Sequence, residues 1–416
     1  MTRKAILSLL AAAFTSTLFA AEGPVPKGVP HLDHVFVIMM ENHGYGQIVG
    51  NPNAPFINQY AASANTATNY FAIAHPSLTN YLEVVGGSNF GVLDDNSPDW
   101  HNPSCIPNLQ TGTPSLEATA TAICPIEGTG TDAATPAIDY SNETSGPPGD
   151  ININGTASFP SSADTLGITI ADQLVAAHRS WESYQESLPV SGADQVNYSD
   201  GFYTNNTDFG QIFPTLNPPL SSSDVVQLYA VKHNPFAYFS SVQAGTNRHS
   251  SLKNVAGFET LYADLGSGDV PSYSFIAPNQ CNDQHGRGNA GAFCNFDPVS
   301  DGSQAGLNPA LIYLGDVTVQ RLVTAIKGSS AWRRGNNAIV VLWDENDYSQ
   351  APNTNQVLTI VDTNYGVHGV QSGQFYTHFS LLKSLEGAFG LPCLNHACDA
   401  SVNAMSDLFG AKRSRE

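Results

Sequence analysis

Groups that could do chemistry together are scattered along the chain at the ends of apolar runs. Ser77 stands in Asn69–Gly87, NYFAIAHPSLTNYLEVVGG, just ahead of Tyr81, Leu82, Val84 and Val85 at helical spacing. A serine at a helix N-terminus meets unpaired N–H groups and the positive end of the dipole, which favour an attacking alkoxide and an incoming anionic oxygen. The plainer role for the same residue is to cap the helix. Glu41-Asn42 follow the run His34–Met40, and Asp344-Glu345-Asn346-Asp347 follow Asn337–Trp343. Acids and an amide at the ends of buried strands offer oxygen ligands to a divalent cation, and acids crowded this closely repel one another until a cation neutralises them. The readings without chemistry are an Asx turn at Asn42 and a solvated acidic loop after Trp343.

Histidines complete the set. Asp283 and His285 lie in a turn beside Cys281, where both can face one ion or one phosphate. His233 precedes Asn234-Pro235 and either donates to a phosphate oxygen or caps the helix that follows. His378 opens another helix, where the dipole lowers its pKa and leaves a neutral imidazole.

Periodicity indicates the elements that must position these groups. Continuous apolar runs predict buried strands at 34–40, 228–232, 273–277, 337–343 and 356–361. Helical spacing predicts helices over Phe56–Ala64, Ile168–Glu186, Phe236–Val242, Gly315–Lys327 and Phe379–Phe389. Alternating strands and helices predict an α/β fold with a mostly parallel central sheet sandwiched between helices. Ligands of such sheets bind at the carboxyl ends of the strands, where the polar clusters fall. Residues from about 94 to 165 are rich in Gly, Pro, Ser, Thr and Asn, and read as a loop-rich, disulfide-clipped insertion in a single domain spanning 22–416. Trp181, Tyr184, Tyr203, Phe236 and Tyr238 would either line an apolar wall of the site or pack in the core.

The chain has 416 residues, 41% of them hydrophobic and 12% charged, enough to bury a large core. A formal charge of −20 argues against a nucleic-acid partner and against adhesion to an anionic membrane by charge alone. Arg3 and Lys4, the apolar run from Ala5 to Phe14 and the small residues near Ala20-Ala21 read as a signal peptide over residues 1–21, hence a secreted or periplasmic protein. No later run is long enough to span a bilayer. The six cysteines fall into sequence-local pairs, Cys105/Cys124, Cys281/Cys294 and Cys393/Cys398, and lack CxxC spacing, which favours disulfides over zinc.

The strings MMENHGYGQIVG, APFINQY, NYFAIAHPSLTNYLEVVGG, KHNPFAYF, SFIAPNQCNDQHG, VVLWDENDY and YTHFSLLKSLEGAFGLP occur in this order over most of the chain. The series resembles the bacterial and fungal phosphoesterase family of secreted acid phosphatases and phospholipases C, within the alkaline-phosphatase superfamily. The resemblance implies an alkaline-phosphatase-like fold and a divalent ion held by Glu41, Asn42, Asp344 and Glu345 with the Ser77 oxygen. It implies Ser77 as nucleophile and Asn80 as the amide on a nonbridging phosphate oxygen. His233, Asp283, His285 and His378 match positions that in relatives bind a second metal or touch phosphate, so a second ion would fall near Asp283, His285 and His378. Thr79 departs from the usual proline, and Glu345 stands where some relatives have aspartate.

The expectation is a metal-dependent phosphatase acting on phosphate monoesters through a phosphoserine, with His285 or His378 assisting the leaving alkoxide. The alternatives are a phospholipase C, phosphodiesterase or phosphoinositide phosphatase on the same site, which would admit a lipid substrate, and a non-catalytic secreted binding protein. The last would predict loss of Ser77, Glu41 or Asp344, and all three are present.

Overall fold

The computed structural model describes residues 22–90, 95, 165–188, 191–192, 217, 228–239, 241–242, 245, 249–287, 290–299, 301–346 and 355–410, with short strands at 128–130, 150–151 and 158–159. The expected signal segment, the Cys105/Cys124 pair, most of the 94–165 insertion, Tyr203 and Asp347 lie outside the described residues.

Eight strands form the main sheet: β1 (His34–Met40), β2 (Asn65–Ala67), β3 (Trp181–Gln185), β4 (Val255–Gly257), β5 (Tyr273–Ala277), β6 (Asn337–Trp343), β7 (Thr359–Thr363) and β8 (Gln371–Ser372). Their order is β8-β2-β7-β6-β1-β5-β3-β4. The run β6-β1-β5-β3-β4 is parallel, as the sequence predicts, whereas β7 is antiparallel to both its neighbours and makes the sheet mixed. Every residue of β6 and all of β1 after His34 are buried. Successive side chains of a strand point to opposite faces, so both faces of the sheet must be covered. Two groups of helices do this. One joins α2 (Ser77–Gly86), α3 (Ile170–Ala176) and α6 (His378–Phe389); the other joins α1 (Pro55–Ser63), α4 (Phe258–Ser267) and α5 (Pro309–Gly328).

Strand register decides where the site forms. Met40 of β1 lies opposite Trp343 of β6, and Ile38 opposite Ile276 of β5, so the three strands end nearly level. Asp344 N–H donates to Met40 O at 2.9 Å, and Glu41 N–H to Asp283 O at 2.9 Å, which stitches the three acid-bearing turns together. The disulfide Cys281–Cys294 closes the turn after β5; Cys393–Cys398 closes one beyond α6.

Two expected elements differ. The helix predicted over Ile168–Glu186 stops at Ala176, His178 takes a positive φ of 59°, and the chain re-emerges as β3 beside β5. The aromatic run from Trp181 fits a pleated surface better than a helix, and Trp181 and Tyr184 are core residues. The strand predicted at 228–232 is a 3₁₀ turn at Val231–His233, and the following helix shrinks to a second such turn, Pro235–Tyr238. Pro235 cannot donate to a ladder, and the paired turns direct Lys232 and His233 inward. No helix among the described residues is long and apolar enough to cross a membrane.

A cavity of about 920 Å³ opens at the amino ends of β3 and β5, away from the level strand ends, and Glu182 and Asp264 line it. Burial, and then Asp264, push the Glu182 carboxyl up to about 8. Its folded-state pKa thus exceeds the unfolded value of about 4.3, so its contribution to stability is full below that value and is lost as pH rises toward 8. Calorimetric melting of Glu182→Gln is expected to show a shallower decline of Tm between about pH 4.5 and 8 than the native chain. Equal slopes would refute this assignment.

Candidate active site

Ser77 is the first residue of α2, and Pro76 takes the N-cap place. Pro76 offers no side-chain cap hydrogen bond, and the serine side chain faces the ends of β1 and β6. Its Oγ lies 3.0 Å from Glu41 Oε2 and 3.3 Å from Glu345 Oε1. All of α2 is buried, and it ends at Gly87, whose φ of 73° suits glycine; a Cβ there would stand 2.6 Å from Leu394 O. The nucleophile candidate is therefore fixed by a helix with little freedom to shift.

The carboxylates expected to hold an ion converge. Asn42 N–H donates to Asp344 Oδ1 at 3.0 Å, and Asn42 itself takes a positive φ of 50°. Glu345 reaches Ser77 with one oxygen; the other is 2.9 Å from His75 Nδ1 and accepts from Asn80 Nδ2 at 3.0 Å. Burial, then Asp344, raise the Glu41 carboxyl well above its usual range; burial, then Glu345, do the same to Asp344. Burial also pushes Glu345 up to about 8, against the opposing pull of His75. Like charges this close and this dry call for a cation. Asn42 Oδ1 and Asp344 Oδ2 are buried without a hydrogen-bond partner among the described residues, two oxygens free to ligate. The donor set Glu41, Asn42, Ser77, Asp344 and Glu345 is all oxygen, which suits a hard divalent ion.

The histidines divide. His233 Nε2 lies 3.1 Å from Glu41 Oε1 and its Nδ1 3.3 Å from Asp283 Oδ2, with the ring stacked on Tyr81 at 5.3 Å. Asp283 Oδ1 accepts the His285 backbone N–H at 2.7 Å, so this buried acid braces the His233 ring and the His285 main chain. His285 Nδ1 lies 2.8 Å from Gly286 O, which assigns the ring proton there and leaves Nε2 as an acceptor. Burial, then Lys232, push His285 down to about 3. Among the described residues, ligand atoms of Glu41, His233 and His285 also converge, so this second group shares Glu41 with the oxygen set.

His378, expected beside Asp283 and His285, lies elsewhere. Its Nε2 is 2.7 Å from the Asp344 carbonyl and its Nδ1 3.1 Å from the Tyr70 hydroxyl, both buried. Both ring nitrogens are taken, so it props the β6 turn and has none left for an ion or a leaving group; burial pushes it down to about 4. Asn80 is also committed. Its Oδ1 accepts from Ile73 and Ala74 N–H at 3.1 and 3.2 Å, and its Nδ2 donates to Ala74 O and Glu345. It shapes the turn before Ser77 and steadies Glu345.

Sequence reasoning missed Lys232, His75 and Asp95. Lys232 is 2% exposed, and its ammonium donates to Ser77 Oγ at 3.3 Å, Asp95 Oδ2 at 2.9 Å and His285 Nε2 at 3.2 Å. Burial alone would lower its pKa, but Asp95 and Glu41 outweigh burial and hold it above the usual range. The only sequence signal was its place beside His233 in KHNPFAYF.

A model of the phosphoesterase family matches residues 51–293. The chain is 24% identical, over 98% of its length and 93% of the other's, to a phosphatidylinositol-3-phosphatase of Mycobacterium tuberculosis. It is 25% identical over 90% of its length to a phosphate-repressible acid phosphatase of Penicillium chrysogenum, but spans only 63% of that protein. A solved structure from Vibrio parahaemolyticus, described as a protein in the alkaline phosphatase superfamily, superposes with a TM-score of 0.45 and 10% identity, covering 93% of this chain and 74% of that one.

If the oxygen set binds a divalent ion, chelator-treated protein should gain thermal stability on adding Mg²⁺, Mn²⁺, Ca²⁺ or Zn²⁺, by about 2.7 kcal/mol at one hundred times Kd. Asp344→Asn should lose most of that gain. A melting curve indifferent to all four ions would remove the metal from this site.

Proposed function

The chain belongs to the phosphoesterase family, hydrolases of phosphoric ester bonds, and we propose that it is a metal-dependent phosphatase that cleaves phosphate monoesters with Ser77 as nucleophile. The observation that carries this reading is the position of Ser77 Oγ, at the start of a buried helix and within 3.3 Å of two carboxylates and an ammonium. The carboxylates accept the hydroxyl proton, and Lys232 and the helix dipole stabilise the negative charge that develops on Oγ. A divalent ion held by Glu41, Asn42, Asp344 and Glu345 would supply Lewis acidity at the serine oxygen and at the phosphoryl group.

Ser77 Oγ attacks phosphorus in line, the bond to the ester oxygen breaks, and a phosphoserine remains. Water then displaces Ser77 and releases inorganic phosphate. The leaving alkoxide takes its proton from solvent, because the His285 ring proton is turned to Gly286 O and both His378 nitrogens are engaged.

Phosphatidylinositol 3-phosphate is a second reading for the substrate, favoured by the end-to-end match to the mycobacterial relative; its 3-phosphate too is a monoester. The diester reading has less support. Trp181, Tyr184, Phe236 and Tyr238, which could have formed an apolar wall for a second substituent, are packed in the core. The basic and apolar start of the chain supports export, as do two disulfides.

Purified protein should hydrolyse p-nitrophenyl phosphate faster than its bis-ester, lose turnover with chelator, and fall on the order of a thousandfold or more in Ser77→Ala. Activity that survives Ser77→Ala would sink this mechanism. Faster release from short-chain phosphatidylinositol 3-phosphate than from p-nitrophenyl phosphate would select the second reading.

A further inference from the structure

Lys232 and Asp95 make an ion pair that the proposed mechanism uses on one side only. The Asp95 carboxylate bridges two donors. Its Oδ1 accepts the backbone N–H of Leu78, the residue after Ser77, at 3.0 Å, and its Oδ2 accepts from Lys232 Nζ at 2.9 Å. Both donors border the nucleophile: Leu78 is its chain neighbour, and the same ammonium lies 3.3 Å from Ser77 Oγ.

These are the donors that a phosphoryl group delivered to Ser77 would need. An N–H in the first turn of a helix has no partner within the helix, and the dipole there favours an anion. A lysine this deeply buried requires a counter-charge. A carboxylate meets both demands with two oxygens, as phosphate does with two of its own. Asp95 also adds a charge to a group that already holds Glu41, Asp344 and Glu345, a placement that repels substrate and product alike.

We propose that the Asp95 carboxylate stands in the phosphate subsite of the free enzyme, on Leu78 N–H and Lys232, and that phosphate must displace it to bind. This deepens the phosphatase reading and rests on it for the identity of the anion. Asp95 keeps the ammonium neutralised and the helix end satisfied when no phosphate is bound. After hydrolysis it competes with inorganic phosphate for the same donors, which weakens product binding and favours release. Lys232 is then a catalytic residue, since it touches the nucleophile and receives the phosphoryl oxygen. Asp95 is a specificity-determining residue, tuned to anions able to offer two oxygens to these donors.

Calorimetric titration of the full chain with inorganic phosphate, in the presence of Mg²⁺, tests this without turnover. Asp95→Asn keeps the side-chain shape and removes the charge, and should bind phosphate about tenfold more tightly than the native chain. Asp95→Ser, which shortens the side chain, should do the same, so that one poorly folding variant does not leave the question open. Lys232→Met should bind phosphate about tenfold more weakly or lose it. In steady-state assays with p-nitrophenyl phosphate, Asp95→Asn should show a matching fall in the inhibition constant of phosphate. Phosphate binding that is unchanged or weaker in both Asp95 variants would overturn the proposal. Because the titration needs no catalysis, tighter binding by an inactive protein would sustain the subsite while removing the phosphatase reading.

Discussion

Negative charge packed into a dry sheet edge is the constraint on which the rest of this structure depends. Glu41, Asp344, Glu345 and Asp283 are all buried, and Asp95 is mostly so, with Lys232 the ammonium in contact with the group. Such a cluster opposes folding unless each carboxylate has a counter-charge or a donor. The fold supplies donors from several directions: the Asn42 and His285 amides, the Asn80 side chain, and the rings of His75 and His233. What remains uncompensated, two orphaned oxygens and three crowded acids, is the electrostatic demand that a divalent ion would meet.

Much of this could be read from the sequence because strand ends in a parallel sheet are legible. A continuous apolar run that stops at acidic residues gives both the strand and its carboxyl end, and β1 and β6 do so at Glu41 and Asp344. The backbone bonds that align those ends follow from parallel pairing and needed no further signal. Lys232 was not legible for the opposite reason. A lysine at the end of a short apolar run reads as a solvated strand end, and only the paired 3₁₀ turns reveal that it points inward. Asp95 opens a segment without periodicity, where sequence offers no direction for a side chain.

His378 and Asn80 teach a related lesson. Their places, a helix start and the first turn behind the serine, were predicted correctly, yet position along the chain did not fix their partners. In a close-packed interior a polar side chain satisfies its own hydrogen-bonding groups first, and both found backbone groups within reach. They hold the turns that carry Asp344 and Ser77, so their influence on chemistry is exerted through geometry. The misread helix over 168–186 has a similar origin: helical spacing persisted in the letters past Ala176, while aromatic residues suited to pairing with β5 claimed the chain.

The arrangement around Ser77 also bears on why the serine sits at the first helical position, with proline before it. A serine at the N-cap would spend its oxygen on the helix's own N–H groups. With Pro76 in the cap place, the Ser77 hydroxyl is released to the acids and the next N–H, that of Leu78, is left to an outside anion. One backbone choice thereby separates the two groups: the Ser77 hydroxyl faces Glu41 and Glu345, while the Leu78 amide faces Asp95. Lys232 lies between the two and donates to both Ser77 Oγ and Asp95 Oδ2, so under the proposed mechanism one buried ammonium would couple the charge on the serine to occupancy of the anion position.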